Sequence, residues 1–538
     1  MQALLVTRTG YLSAQSLRGA SVPLLLIQAG IHPGESDGKD AGFITLREML
    51  QGQSASQSLE KIAILFVPAF NVDGHERMGR WNRPNQNGPE ETGWRVTARN
   101  LNLNRDYTKA DTPEMQALLH LINEWDPLIC ADLHVTDGAD FQPDISLQAE
   151  PINQGDPQLF ASARALRDQV IAYLQARGSM PLPFYPDLYS TDDPASGFVL
   201  TVYSPRFSTG YFPQRNRFTL LVETHAWKDY RRRVRVTRDT IIGIADQLAA
   251  HGATWLQQMR ASDLAAGRIA DTEVVLDYRS SWQEPAAGST RNKASAQADA
   301  SASMIDFPGY AYTRTRSAIS GGLVTAYDPE TPQIWHVPYR DRVEPSIMIR
   351  APRAGYIVTA PYAQEIGDRL RVHGVRFEPL RRRFADLAVD GFRASRAQFS
   401  AVPFEGRMRA KLEGQWEAMK QTIGYDALYV PVAQPLARLV VALLEPQAPD
   451  SFAAWGFFNA CFEQKEYLEP YVAEQIARDM LNGDAALRAE FERQLAHDSA
   501  FAADPAARLQ FFLRRHASWD ERYNLYPIYR VATPPGQG

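Results

Sequence analysis

Through the first half of the chain, short unbroken apolar runs alternate with stretches whose apolar residues recur every three or four positions. The runs "VPLLLIQAG", "KIAILFVPAFN", "PLICADLH" and "RFTLLVET" stay almost wholly apolar until their last residues, the pattern of strands buried on both faces. Between them lie "GKDAGFITLREMLQG", "TPEMQALLHLINEW" and "DPQLFASARALRDQVIAYLQARG", which read as amphipathic helices. A further helix, "TRDTIIGIADQLAAHGATWLQQM", closes the region. This alternation predicts an α/β unit over 1–265: a mixed, mostly parallel sheet with helices on both faces.

The pattern then changes. Residues 266–304 read as a connecting segment. Within it, 283–303 ("QEPAAGSTRNKASAQADASAS") holds almost no large apolar side chain and reads as a mobile loop. From 305 to 435, short β-branched and aromatic runs such as "SIMIRAPRAGYIVTAP" predict a smaller β-rich domain. Residues 436–538 read as helical, on "DSFAAWGFFNACFEQKEYLEPYVAEQIARDML" and "AALRAEFERQLAHD".

A length of 538 residues exceeds what one core usually supports, in keeping with this division. With 45% apolar and 22% charged residues and a net charge of −5, nucleic acid and anionic membranes are not indicated as main partners. Two cysteines, Cys130 and Cys461, exclude a cysteine-built zinc site and read as lone buried thiols. The late apolar run "ALYVPVAQPLARLVVALLEP" is broken by Pro431, Gln434, Pro435 and Arg438, so no membrane span is expected. The first residues lack signal-peptide features, which as written points to the cytoplasm.

Three of the predicted strands end in ionisable residues. "PLLLIQAGIH" ends at His32, with Glu35 beyond a Pro-Gly turn; "PLICADLH" ends at His134; "RFTLLVE" ends at Glu223. In an open parallel sheet the carboxyl ends of the strands share one edge, and ligands bind there. Two imidazoles and a carboxylate leave a fourth tetrahedral position open to water, as in a catalytic zinc site. Zinc there would make water nucleophilic near neutral pH, and a carboxylate outside the ligand set, Glu223, could take the proton. Taken singly, each of these residues reads more simply as a solvated strand end or a satisfied core side chain; their shared position at strand ends is what joins them. A long polar loop, "NVDGHERMGRWNRPNQNGPEETGWRVTARNLNLNRDY", adds arginines suited to an anionic group.

In order and rough spacing, "HPGE", "NVDG", "NLNRD", "DLH" and "FTLLVET" resemble the zinc carboxypeptidases of the carboxypeptidase A type, over about residues 20–250. The resemblance implies one zinc ion per chain held by His32, Glu35 and His134, with Glu223 as general base. It implies that Asn104 and Arg105 grip the substrate's terminal carboxylate. It places an oxyanion-stabilising arginine at Arg95, nine residues before Asn104, with Arg83 as second choice. A mobile tyrosine about twenty residues before the catalytic Glu corresponds to Tyr203, with Tyr211 as rival.

The chain departs from that pattern in three ways. Asn102 stands where the family has the Asp that orients a ligand histidine, and Asp132 is a candidate substitute. "NVDG" replaces Asn-Pro-Asp-Gly. Only some thirty residues precede His32, whereas family domains usually begin earlier, so a periplasmic or secreted location follows if the N-terminus is incomplete.

The expected activity is metal-assisted hydrolysis of a peptide bond near a free C-terminus, on a peptide or small carboxylate-bearing substrate. A zinc amidohydrolase or cell-wall peptide amidase of the same fold is the alternative, and a non-catalytic binding protein with a decayed site is a third reading. "FQPDISLQAEPINQG" and "PFYPDLYSTDDPASG" are expected to shape the specificity pocket. The basic run "DYRRRVRVTRD" reads as a solvated helix start without a role.

Overall fold

The computed structural model describes residues 1–280 and 302–536. A seven-stranded mixed sheet frames the first half. Its strands are β1 (Leu4–Thr7), β2 (Leu24–Gln28), β3 (Ala63–Val67), β4 (Ile129–Val135), β5 (Ile145–Glu150), β6 (Pro181–Leu182) and β7 (Phe218–Thr224), in the order β1-β3-β2-β4-β7-β5-β6. β3, β2, β4 and β7 run parallel, while β1 and β5 lie antiparallel to β3 and β7. Every residue of the four parallel strands is buried, which explains their unbroken apolar runs.

Alternate residues of these strands feed two cores. Leu25 and Ile27 of β2 pack with α1 (Asp37–Leu50), α2 (Phe160–Gln175) and α3 (Tyr230–Ala266) on one face. Leu24 and Leu26 pack on the other face with residues 118–119 and with Tyr356, Ile366, Val440 and Ile528 from the second half of the chain. One apolar core therefore joins the sheet to residues far along the sequence. Close helix–sheet approach depends on glycine at position 42 of α1, where a Cβ would stand 2.3 Å from Phe66 Cζ.

α3 is longer than the apolar spacing predicts: it begins at Tyr230, where the Asp229 carboxylate accepts from Arg232 N. The "DYRRRVRVTRD" run is thus helical, but its Arg233 is fully buried rather than solvated.

The second half holds a six-stranded sheet, in the order Glu378–Pro379, Leu428–Pro431, Gly355–Val358, Leu525–Val531, β8 (Phe384–Phe399) and β9 (Ala410–Ile423). A second long hairpin, Ser303–Arg316 with Leu323–Arg340, pairs onto Phe198–Val199 from the first half. A β-rich region followed by helices is therefore present, with two differences from the sequence reading. Residues 451–462 form turns and a short 3-10 segment, and the helix begins only at Pro470. The segment Leu525–Val531 is a strand that returns to the sheet between Gly355–Val358 and β8. Of the expected loop at 283–303, residues 283–301 lie outside the described residues, and Ser303 already begins a strand. Both cysteines are free; Cys130 is buried, but Cys461 is only partly so. Among the described residues no helix is long and apolar enough to cross a membrane.

Candidate active site

β2, β4 and β7 are neighbours, and their carboxyl ends bring the ionisable residues to one edge. His134 and Glu223 are register partners across β4 and β7. Gln28 at the end of β2 is paired with Asp132, and the chain then turns through Pro33-Gly34, where Glu35 N donates to His32 O at 2.9 Å. This turn aims two side chains at the point that β4 reaches. The His32 Nδ1 atom lies 3.0 Å from Glu35 Oε1, and His134 Nδ1 lies 3.0 Å from Glu35 Oε2. One ligand atom from each of the three residues lies within 4.8 Å of the others.

Each ring's outward nitrogen faces an oxygen, though His134 Nε2 makes no hydrogen bond to it. His32 Nε2 is 3.1 Å from Asn102 Oδ1, and His134 Nε2 is 3.2 Å from Asp132 Oδ1. Asp132 accepts from Gln28 Nε2 and from Ser208 Oγ, at 2.9 and 2.6 Å. Asn102 thus occupies the position facing His32 despite being an amide, and Asp132 serves His134.

These residues fit a divalent cation. Both rings turn Nδ1 to the shared carboxylate, and His32 is oriented from outside through Nε2, as metal-bound histidines are. The buried His32 Nδ1 makes no hydrogen bond. Burial lowers the His32 imidazole to about 4, whereas at His134 the Asp132 and Glu35 carboxylates outweigh burial and raise the ring well above its usual range. Burial opposes charge on Glu35, but Arg83, His32 and His134 outweigh it and hold the carboxyl well below its usual range.

A cavity of about 260 Å³ opens onto this cluster. Its lining includes His32, Glu35, Arg83, Arg95, Asn104, Arg105, His134, Tyr203 and Glu223. Glu223 is buried, with Oε2 free of any hydrogen bond. Burial pushes its carboxyl up to about 8; His134 opposes the shift and Glu35 adds to it.

The two candidate arginines differ in their commitments. Arg83 lies 3.0 Å from Glu35 Oε1 and also donates to Val135 O and Thr136 O at 2.9 and 3.2 Å. Arg95, 40% exposed, reaches the same Glu35 Oε1 atom at 3.3 Å and is the freer of the two. Arg105 stacks 4.5 Å over Phe207, and burial together with Arg206 and Arg95 lowers it to about 10. Beside it, Asn104 Oδ1 is buried without a partner. The concentration of positive charge at Arg105, Arg206 and Arg95 suits a carboxylate.

Tyr203 lines the cavity, whereas its rival Tyr211 lies in the core with its hydroxyl 2.9 Å from His373 Nδ1. Of the two segments expected to shape the pocket, "PFYPDLYSTDDPASG" contributes Tyr185. "FQPDISLQAEPINQG" contributes no lining residue; it contains β5 and acts from behind, as Gln154 Nε2 donates to Tyr203 O and Thr209 O at 3.0 and 3.2 Å. The sequence reading missed Asp137 and Ser208 in the lining, and no spacing signal marks them.

The parallel centre of the sheet thus carries this cluster at its carboxyl edge. Residues 11–143 match the sequence model of the zinc carboxypeptidase family. Solved structures with matching regions include metallo-carboxypeptidases from Burkholderia cenocepacia (14% identity, TM-score 0.33, covering 46% of this chain and 65% of that one) and Pseudomonas aeruginosa (17%, 0.34, 47% and 61%), the latter in complex with (2-guanidinoethylmercapto)succinic acid. Another is carboxypeptidase A from Helicoverpa armigera (13%, 0.32, 47% and 66%). The chain spans less than two thirds of the length of each. No curated protein matches it significantly.

Proposed function

We propose that this chain is a zinc-dependent metallocarboxypeptidase, hydrolysing a peptide bond next to a free C-terminus. The observation that carries the reading is the meeting of His32, Glu35 and His134 within 4.8 Å in a cavity whose lining also includes Glu223, Asn104 and Arg105. A zinc ion held by the three ligands would supply Lewis acidity, polarising a carbonyl and making water nucleophilic at neutral pH. Asn104 and Arg105 bind and orient the substrate's terminal carboxylate. Arg95, free to swing from Glu35, donates to the carbonyl oxygen as charge builds there, while Arg83 stays tied to two backbone carbonyls. Glu223 takes a proton at its unpartnered Oε2 and returns it to the departing amine. Tyr203, near Glu223 and Arg105, closes the same cavity.

The test is Glu223→Gln assayed on a peptide with a free C-terminus and on its amidated form. The expected result is about one bound zinc per chain in both proteins, hydrolysis of the free form only, and a loss of at least about a hundredfold in kcat for the variant. Full activity in Glu223→Gln refutes the mechanism. Equal cleavage of the amidated peptide transfers the site to the amidase reading.

A further inference from the structure

The β8–β9 hairpin reaches from the β-rich region back to the cavity. Its tip closes with Phe404 and Arg407 exchanging backbone hydrogen bonds of 2.9 and 3.1 Å around Glu405-Gly406. Both central residues are left-handed, at φ +51° and +77°. A two-residue turn with positive φ at both positions favours Asn-Gly, and a glutamate there is strained. The side chain has a contact that the turn itself does not need: Glu405 Oε2 accepts from Asn102 N at 2.8 Å.

Asn102 is a knot in the site. Its side-chain oxygen accepts from Asn104 N at 3.0 Å and lies 3.1 Å from His32 Nε2. On the other side of the turn, Arg407 grips Asp111 with two hydrogen bonds of 2.6 and 2.7 Å. Phe404 stacks on Trp455 at an interplanar angle of 9°, and Trp455 Nε1 donates to Thr108 Oγ1. The hairpin tip thus clamps residues 102–111 at both ends, with Asn104 and Arg105 between the clamps.

We propose that Glu405 is a positioning residue: through the Asn102 amide it fixes the Asn102–Arg105 turn in the geometry that receives the substrate's carboxylate. The β-rich region thereby becomes a working part of the site. This rests on the reading of Asn104 and Arg105 given above. Preorganised donors bind an anion without first ordering themselves, so loosening the turn weakens binding more than chemistry.

Two variants test it. Glu405→Asn gives the turn its preferred Asn-Gly sequence but is one methylene too short to reach Asn102. Glu405→Gln keeps reach and an acceptor oxygen. Amide hydrogen exchange over residues 101–106, Tm, and KM and kcat on a free C-terminal peptide are measured for both and for the unaltered protein. For Glu405→Asn the expected result is exchange at Asn102 at least tenfold faster, KM raised three- to tenfold, kcat within twofold, and Tm unchanged or higher. Glu405→Gln should stay within threefold of the unaltered protein throughout. Unchanged exchange or unchanged KM in Glu405→Asn overturns the proposal, as does faster exchange spread evenly over the central strands with a lower Tm. If the unaltered protein cleaves no peptide, the proposed function fails and the exchange measurement alone decides this one.

Discussion

His373 makes the stability of this protein acid-sensitive in a way that can be isolated. It follows the helix Ala360–Val372, is fully buried, and joins the two halves of the chain. Its Nε2 donates to Thr108 O at 2.9 Å, which leaves Nδ1 to accept from the Tyr211 hydroxyl, also at 2.9 Å. Burial, with Arg215 and Arg369 nearby, lowers the imidazole from 6.5 to about 3, although the bond to Thr108 opposes the shift. An unfolded chain takes a proton here near pH 6.5, whereas the native one does so only near 3. Acid therefore favours the unfolded state: the contribution is complete above pH 6.5 and is lost as pH falls from there toward 3. At about 1.4 kcal/mol per unit, lowering the pH to 5 removes about 2 kcal/mol. His373→Gln keeps a donor for Thr108 and does not titrate. Urea unfolding of both proteins at several pH values should show their stability difference moving by about 2 kcal/mol in the variant's favour between pH 7.5 and 5. By NMR the His373 ring should keep its neutral signature down to pH 4.5. A native titration midpoint near 6.5, or a stability difference constant with pH, refutes the argument.

Gly42→Ala should destabilise the protein by about 2 kcal/mol, read as a lower Tm, because the new methyl meets the Phe66 ring. Arg233→Ala should cost about 3–5 kcal/mol in urea unfolding, since it strands the buried Asp37 carboxylate, whose Oδ2 accepts from Arg233 Nε at 2.7 Å. Asn102→Asp places a carboxylate opposite His32 Nε2 and should tighten zinc binding about tenfold in a chelator competition.

The candidate site was largely legible because its residues sit at the ends of strands whose burial on both faces leaves an unmistakable apolar run. His32 and Glu223 each stand at the first point where such a run turns ionisable, and His134 follows Asp132 by two residues near the end of its strand. Arg233 shows the opposite case. A run of arginines reads as solvated until the fold brings Asp37, 196 residues away in sequence, against one of them. The strand Leu525–Val531 was hidden for a similar reason. Seven residues interrupted by Pro527 carry little periodic signal, and its identity as a strand comes from partners at 355–358 and in β8.

Local composition by itself determined which segments must be buried and which ligand chemistry stands at their ends, because both follow from residues adjacent in the chain. Only the tertiary structure decided which arginine is free and which is tied, which residue faces each histidine, and that a turn 303 residues downstream touches Asn102. Those are contacts between distant segments, and a hydrogen bond depends on where its partner lies in space rather than on the sequence around it.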